Sequence, residues 1–351
     1  MSTMTSRQYL VRLCSSLPTL LLSLLVTSCT FSPGGLGQNQ TLPFEVQKPI
    51  FSLTPTHVRE LAIEKNDAVS GDRWSIALRS NARGWEISSA GSRPIIDRVA
   101  DQSFILHFLD TLNTLVYAEP APQGPASSYG LEPPQFALRT TITPDTGSGG
   151  PDRVLDLLIG TAARGTDSQE PSTRFARVPP FSQTMVVHGA AIQMLEMMTS
   201  FDSLRKRTVL SFSSDDVDEL TLVQAGKEKL YAQRDGDTWT DRKHRKSKSS
   251  IREKLDSLTH LRIREFIDDA DRAKKFVADT AASPLFEVTF GGRAIPNSDP
   301  ADAKVIVLRI SSLGPDLVAT VSNRPGAAFL LFPESLRLFT NLALTANQGV
   351  K

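Results

Sequence analysis

The sequence predicts an α+β protein in which one strand-rich unit occurs twice in tandem. Residues 48–65 align with residues 207–224 without a gap, at an offset of 159. The same order of strands, turns and amphipathic helices follows each segment. Helical patterns are few and the strands are short and hairpin-linked, which favours mixed or antiparallel sheets with helices packed on one face. The identical pairs are Ser52 with Ser211, Val58 with Val217, Glu60 with Glu219, and Leu61 with Leu220.

The N-terminus is predicted to be a secretory signal of residues 1–28. Arg7 and Arg12 precede an apolar run over residues 17–26, which is shorter than the roughly 20 residues that a spanning helix needs. The run ends in Val-Thr-Ser-Cys, which resembles the lipobox of bacterial lipoproteins. That resemblance implies cleavage between Ser28 and Cys29 and attachment of diacylglycerol and a further acyl chain, such as palmitate, to Cys29. A plain secretory signal with an incidental cysteine is the alternative.

Residues 29–48 are predicted to be a flexible tether, because they are rich in Gly, Pro, Gln and Ser/Thr. Loss of Cys14 with the signal and lipidation of Cys29 would leave no thiol for a disulfide, a metal or a nucleophile. Without Arg7 and Arg12, the count of Lys and Arg falls from 39 to 37 against 38 Asp and Glu. This balance argues against a nucleic-acid partner.

The two copies are predicted to span residues 49–203 and 204–345. Each opens with a strand, a turn capped by Thr54 or Ser213, and a second strand. A tryptophan strand follows, containing Trp85 or Trp239, and Asp235-Gly236 predicts the preceding hairpin of the second copy.

An amphipathic helix comes next in each copy. Its apolar faces hold Phe104, Phe108, Leu112 and Leu115 in the first copy and Ile251, Leu255, Leu258 and Leu261 in the second. Alternating strands begin at Phe136 and Phe286, and apolar strands at Val154 and Val305. Each copy closes with a strand leading into a helix, and Pro333 fits the first turn of the last one.

The stretch SSYGLEPPQFALRT contains Tyr129, Gly130, Leu131 and Pro133. Together with LLIG at residues 157–160, it resembles the Tyr-Gly-Leu-x-x-Pro element of the family of unknown function numbered 4340. The resemblance covers about residues 50–345. It implies a membrane-attached protein with a periplasmic part, associated with auxiliary components of gliding-motility-type ABC transporters. It implies no catalytic residue. From the residues alone, the element is a structural turn or a ligand loop, and the structural interpretation is preferred.

No catalytic or metal-binding signature occurs among the five histidines, and neither HExxH nor GxSxG is present. We therefore predict no enzyme activity, no cofactor and no metal. Asp215-Asp216 is predicted to cap a turn, and Asp268-Asp269 to lie in a loop.

A basic stretch precedes the helix of the second copy and contains Arg242, Lys243, Arg245, Lys246 and Lys248. It predicts either a site for an anionic partner, such as lipid headgroups or an acidic protein, or a solvated turn. The solvated turn is preferred, because acidic residues on both sides could neutralise it.

These observations predict a lipid-anchored envelope protein that faces the periplasm. We expect a non-catalytic binding or assembly module, accessory to an ABC-type transporter or another envelope machine. Thr30 follows the lipidated cysteine. In Gram-negative lipoproteins an Asp at this position favours retention in the inner membrane, so its absence favours the outer membrane. The competing hypothesis is an envelope hydrolase that acts on a cell-wall polymer.

Overall fold

The first copy forms one eight-stranded antiparallel sheet in the computed structural model. The structure describes residues 44–66, 71, 73–144, 150–163, 173–241, 246–247, 250–292 and 305–347, all within one folded body, Leu42–Lys351. The strands of the first copy are β1 (Val58–Asn66), β2 (Arg73–Asn81), β3 (Gly84–Ser89), β4 (Val116–Pro120), β5 (Phe136–Ile142), β6 (Arg153–Ala162), β7 (Thr173–Arg177) and β8 (Met185–His188). Its helices are α1 (Gln102–Leu112) and α2 (Ala190–Met197).

The second copy forms a nine-stranded antiparallel sheet. Its strands are β9 (Glu219–Gln224), β10 (Lys227–Asp235), β11 (Thr238–Asp241), β12 (Lys246–Ser247), β13 (Ile263–Phe266), β14 (Phe286–Gly291), β15 (Val305–Leu313), β16 (Asp316–Val321) and β17 (Phe329–Leu331). Its helices are α3 (Ser250–Thr259), α4 (Ala270–Ala282) and α5 (Leu336–Asn347).

The strand orders confirm the duplication. The first sheet runs β3-β2-β1-β5-β6-β7-β8-β4, and the second runs β12-β11-β10-β9-β14-β15-β16-β17-β13. Apart from β12, every strand of the second sheet has its counterpart at the same place in the first. The α+β class and the antiparallel pairing are therefore as predicted.

Each sheet buries one face under two helices. In the first copy, alternate strand residues such as Leu61, Ile63 and Leu138 pack with Phe108 of α1 and Leu195 of α2 in one core. In the second copy, Leu220 and Val288 pack with Leu255 of α3 and Phe339 of α5. These positions follow the two periods expected for strands and helices.

Helix α4 covers the opposite face of the second sheet, through Ala273 and the partly buried Phe276 against Val318 and Leu330. The equivalent position in the first sheet is Phe175. Phe175 of β7 pairs with Val186 of β8, just as Val318 of β16 pairs with Leu330 of β17. There the Tyr129 side chain packs on Phe175, with ring centroids 4.5 Å apart. Two unrelated elements thus cover equivalent parts of the two copies.

The predicted first strand of each copy is not a strand. Ile50, Phe51 and Leu53 are buried, yet the segment pairs only through an isolated bridge between Pro49 and Val116. The side chain of Asn113 accepts from the N–H of Leu53 at 2.6 Å and donates to its carbonyl at 2.9 Å. A side-chain amide therefore satisfies Leu53, where the alternating pattern predicted a neighbouring strand.

The two predicted turn caps differ. Ser213 accepts from the N–H of Asp215, and Asp216 completes a capping box. Thr54 makes no side-chain cap, although Pro55 begins the turn. Among the described residues, no helix combines the length and the apolar character needed to cross a bilayer.

Candidate functional site

The predicted lipid-attachment and cleavage residues, Cys29 and Ser28, lie outside the described residues. Most of the basic stretch does too, since Arg242, Lys243, Arg245 and Lys248 are not described, and Lys246 is described only as backbone of β12. Beyond this stretch, Arg252 of α3 pairs with Asp215 at 2.8 Å. One of the flanking acidic groups therefore neutralises a basic residue of the same region.

The Tyr-Gly-Leu-x-x-Pro element forms a turn that is fixed to the sheet. Gly130 has φ 64° and ψ 32°, a left-handed conformation that glycine adopts without strain. The Tyr129 hydroxyl donates to the carbonyl of Pro122, and Leu131 is buried. Pro133 follows Glu132 through a cis peptide bond.

The backbone of Gly160 in β6 packs against this turn. A Cβ atom on Gly160 would lie 2.0 Å from the carbonyl oxygen of Tyr129. The neighbouring Thr161 hydroxyl donates to the same oxygen at 3.2 Å. The two stretches that carry the family resemblance therefore contact each other, and the packing of their backbones accounts for both glycines.

Four of the five histidines are described, and His244 is not. His57 ends a short turn, His107 lies exposed on α1, His188 ends β8, and His260 follows α3. Among the described residues, no three His, Cys, Asp or Glu side chains gather as a metal site would require.

An open polar groove of about 630 Å³ lies on the second sheet. Its lining includes Asp218, Glu219, Gln233 and Arg234. Arg234 is held by Asp218 at 2.9 Å and by the carbonyl of Asp215 at 2.8 Å. Arg234, the one cation among the described residues of this lining, is therefore already engaged within the fold.

The most distinctive feature is the seam, which we define as residues 95–101 of the first copy, residues 202–209, and the side chains of Asp268 and Arg324. Its backbone joins the two sheets. The N–H of Lys206 donates to the carbonyl of Val99 at 3.1 Å, and the N–H of Asp101 donates to the carbonyl of Leu204 at 2.8 Å. Further along the same segment, the N–H of Val209 donates to the carbonyl of Leu261 at 2.9 Å, next to β13. A continuous set of main-chain hydrogen bonds therefore links β3 to β13.

The buried guanidinium groups of Arg205 and Arg324 bind carbonyls and carboxylates within the seam. The Arg205 side chain is 0% exposed and binds Asp268 through two hydrogen bonds, of 2.6 and 3.0 Å. It also donates to the carbonyl of Asp97 at 3.0 Å and to Asp202 at 3.1 Å. Its guanidinium lies 3.7 Å from the ring centroid of Phe266. Arg205 thus connects both copies at one point.

Arg324 enters the seam from the loop between β16 and β17. It donates to the carbonyls of Thr208 and Lys206, at 3.1 Å each. Its Nε lies 3.5 Å from Asp97, an ion pair without a hydrogen bond. The side chains of Arg324 and Asp97 are 1% and 4% exposed.

Burial dominates the electrostatics of this pair. It raises the pKa of Asp97, and attraction by Arg324 and Arg205 offsets only part of that effect. It also lowers the pKa of Arg324, although Asp97 acts in the opposite direction. The loss of hydration therefore exceeds the mutual attraction, as is common for buried ion pairs.

No sequence pattern predicted the seam residues as a cluster. Asp268 lies in a loop, as predicted, whereas Asp269 accepts from the N–H of Arg272 and caps α4. The partners Arg205 and Asp268 are 63 positions apart, so no local pattern could have paired them.

We predict that Gly160→Ala destabilises the protein by about 3 kcal/mol, because the new methyl group would overlap the Tyr129 carbonyl. Urea unfolding followed by circular dichroism measures the change. Gly150→Ala is the matched control, since its Cβ would meet no atom closer than 3.8 Å, and it should change stability by less than about 0.5 kcal/mol. Equal effects would contradict the packing role of Gly160.

We predict that Arg324→Ala costs about 3–5 kcal/mol, because it leaves Asp97 buried without its nearest cation and exposes two carbonyls to an apolar void. The same unfolding assay applies. Arg252→Ala removes an exposed ion pair, with side chains 51% and 64% exposed, and should cost less than about 1 kcal/mol. The seam would not be a specific anchor if the two variants lost the same stability.

Comparison with known proteins gives a family and no activity. No functionally curated protein matches the chain. A crystal structure of the Borreliella burgdorferi PlzA protein in complex with c-di-GMP is 9% identical, covering 83% of this chain and 88% of that one, with a TM-score of 0.12. A TM-score this low supports no argument about fold or function.

The family model described as "Domain of unknown function (DUF4340)" matches residues 85–280, more than half of the chain. The match begins at Trp85 in β3, contains the Tyr129 turn, crosses the seam and ends in α4. The chain therefore belongs to the DUF4340 family.

Proposed function

We propose that this protein is a lipid-anchored, non-catalytic binding and assembly module of a bacterial cell envelope, accessory to an ABC-type transporter or a similar machine. The seam is the observation that carries the proposal. It joins two copies of one unit into a single hydrogen-bonded body. A rigid body with two similar halves suits the holding of partners in a fixed relation.

The charged side chains of the seam support a structural role for it. Arg205 and Arg324 direct their donors to carboxylates and main-chain carbonyls of the linking segment. A catalytic site needs groups that converge on a space where a substrate can lie. These groups converge on each other and on the backbone.

The anchor rests on the sequence around Cys29, where a basic, apolar and small-residue signal ends at a lipobox-like cysteine. Two or three acyl chains hold a protein stably on a bilayer, whereas one does so only marginally. The tether that follows would let the folded body reach a partner near the membrane. The transporter association rests on the family resemblance, and Thr30 favours the outer membrane.

We predict that Cys29→Ser abolishes lipid attachment, because serine lacks the thiol that would be alkylated. The variant should stay unprocessed or appear in the soluble periplasmic fraction. Metabolic labelling with an alkynyl fatty acid, followed by membrane fractionation, measures both effects. Cys14→Ser is the matched control and should leave labelling unchanged. Labelling of the Cys29→Ser protein would refute the anchor.

We further expect in-cell crosslinking with mass spectrometry to capture one recurrent envelope protein on the folded body. The Cys29→Ser variant should lose this crosslink if anchoring brings the partners together. In parallel, the purified folded body should release no fragments from peptidoglycan or other envelope polymers. Steady turnover of such a polymer would replace this proposal with the hydrolase hypothesis.

A further inference from the structure

The internal repeat gives the first copy a counterpart of the seam. In the second copy, the end of the sheet at β13 and the loop before β17 packs on the first copy. The end at β4 and the loop before β8 is its equivalent, because Pro120 pairs with Met185 as Phe266 pairs with Phe329. We call this end of the first copy the leading face and define it as residues 44–46, 120–122 and 180–181.

The leading face is apolar where the seam is charged. Phe181 and Arg324 occupy equivalent turns, since their N–H groups donate three residues back along the chain, at 3.0 and 3.1 Å. Val46 aligns with Arg205 at the repeat offset of 159. Pro122 and Asp268 each lie two positions after the equivalent strand residues Pro120 and Phe266. Apolar side chains therefore replace all three charged groups that hold the seam.

The apolar side chains of the leading face are accessible to solvent. Val46 is 50% exposed, whereas the aligned Arg205 is 1% exposed. The half-buried rings of Phe44 and Phe181 meet edge to face, with centroids 6.0 Å apart. The exposed prolines of the face are Pro120, Pro122 and Pro180. A cluster of exposed apolar residues at one end of a sheet marks a surface for interaction.

The backbone beside the leading face turns inward. Gln47, which aligns with Lys206, has φ 64°. Its N–H donates to the carbonyl of Tyr117 at 2.6 Å, and its side chain donates to the carbonyl of Ala118 at 3.2 Å. The N–H of Lys206 instead donates outward, to the carbonyl of Val99 on the other copy. A surface whose donors are satisfied within the fold suits the apolar part of a bilayer, which offers no hydrogen-bond partners.

We propose that the leading face rests on the lipid bilayer, with Val46 and Phe181 in contact with its interfacial region. The position of the anchor selects this occupant, because the predicted tether from Cys29 meets the folded body at Phe44, within the face itself. A flexible chain of this length spans about 20 Å on average. The acyl chains would therefore hold the face beside the bilayer at a high effective concentration, where a shallow contact suffices. This inference rests on the proposed lipid anchor and names the surface that faces the membrane.

A fluorescent reporter next to the face tests the contact. Ser182→Cys places a thiol on an exposed residue beside Phe181, and it can be labelled with NBD in the mature lipid-modified protein, where Cys29 is blocked. The protein is reconstituted on phosphatidylcholine vesicles that contain a nitroxide-labelled lipid. The control reporter is Asp237→Cys on the second copy, where the Asp237 side chain is 100% exposed. Quenching at position 182 should exceed quenching at position 237 by at least about twofold, because only the first reporter lies at the bilayer.

Two exposed valines provide a matched pair of variants. Val46→Asp places a carboxylate on the leading face, which the apolar part of a bilayer disfavours, and should reduce quenching at position 182 at least about threefold. Val305→Asp makes the same change at the start of β15 in the second copy, where Val305 is 40% exposed, and should leave quenching unchanged. Circular dichroism and the melting temperature check that both variants fold as the parent does.

Salt separates an apolar contact from an electrostatic one. Glu45 is the one charged residue of the leading face, and Lys48 of opposite sign follows closely. Raising NaCl from about 0.1 M to about 1 M, which shortens the Debye length from about 10 Å to about 3 Å, should therefore leave quenching at position 182 unchanged. Loss of quenching in high salt would overturn the apolar contact and assign membrane binding to charged groups.

The remaining outcomes distinguish this inference from the proposed function. Protein that floats with the vesicles but shows equal quenching at positions 182 and 237 would overturn the bilayer contact alone, and the anchor would stand. Equal effects of Val46→Asp and Val305→Asp would do the same. A blue-shifted reporter that the nitroxide lipid does not quench, and that reverts on dilution, would assign the leading face to a second copy of this chain. Protein that does not float with the vesicles would overturn both the anchor and the contact.

Discussion

Two buried arginines determine how this molecule is put together. Arg205 lies in the linking segment, Arg324 donates to two carbonyls of that segment, and both contact Asp97 of the first copy. Each guanidinium offers several fixed donors, which suits it to hold carbonyls and carboxylates at once. Because burial costs both groups hydration, each depends on the carbonyls and carboxylates that the fold places around it. This constraint fixes the linking segment, and the segment in turn joins the two sheets.

The duplication shows which parts of the unit are essential for the fold and which can vary. Strand order, the tryptophan strand and the two core-facing helices occur in both copies. The cover on the other face of the sheet differs, being a glycine turn in the first copy and α4 in the second. Both hide an apolar patch next to an equivalent strand. The patch is covered in both copies, by a different element in each.

The sequence alone determined the class and most of the elements. Period-two and period-3.6 patterns gave the main strands and the four core helices, and Asp235-Gly236 gave a hairpin in which Asp235 pairs with Thr238. These features are local, so neighbouring residues suffice to predict them. Tyr129, Gly130 and Leu131 could be assigned to a turn for the same reason.

Tertiary structure decided the rest. Helix α4 packs on the sheet through a short apolar face, of which only Ala273 and Thr280 are fully buried, and its role as a cover depends on the sheet beneath it. In the first copy, Asn113, 60 positions away, makes the hydrogen bonds of Leu53 that a strand partner would make. The contact of Gly160 with Tyr129 and the pairing of Arg205 with Asp268 likewise join distant positions. Such contacts depend on where the sheets bring the chain together, and spacing along the sequence does not encode that.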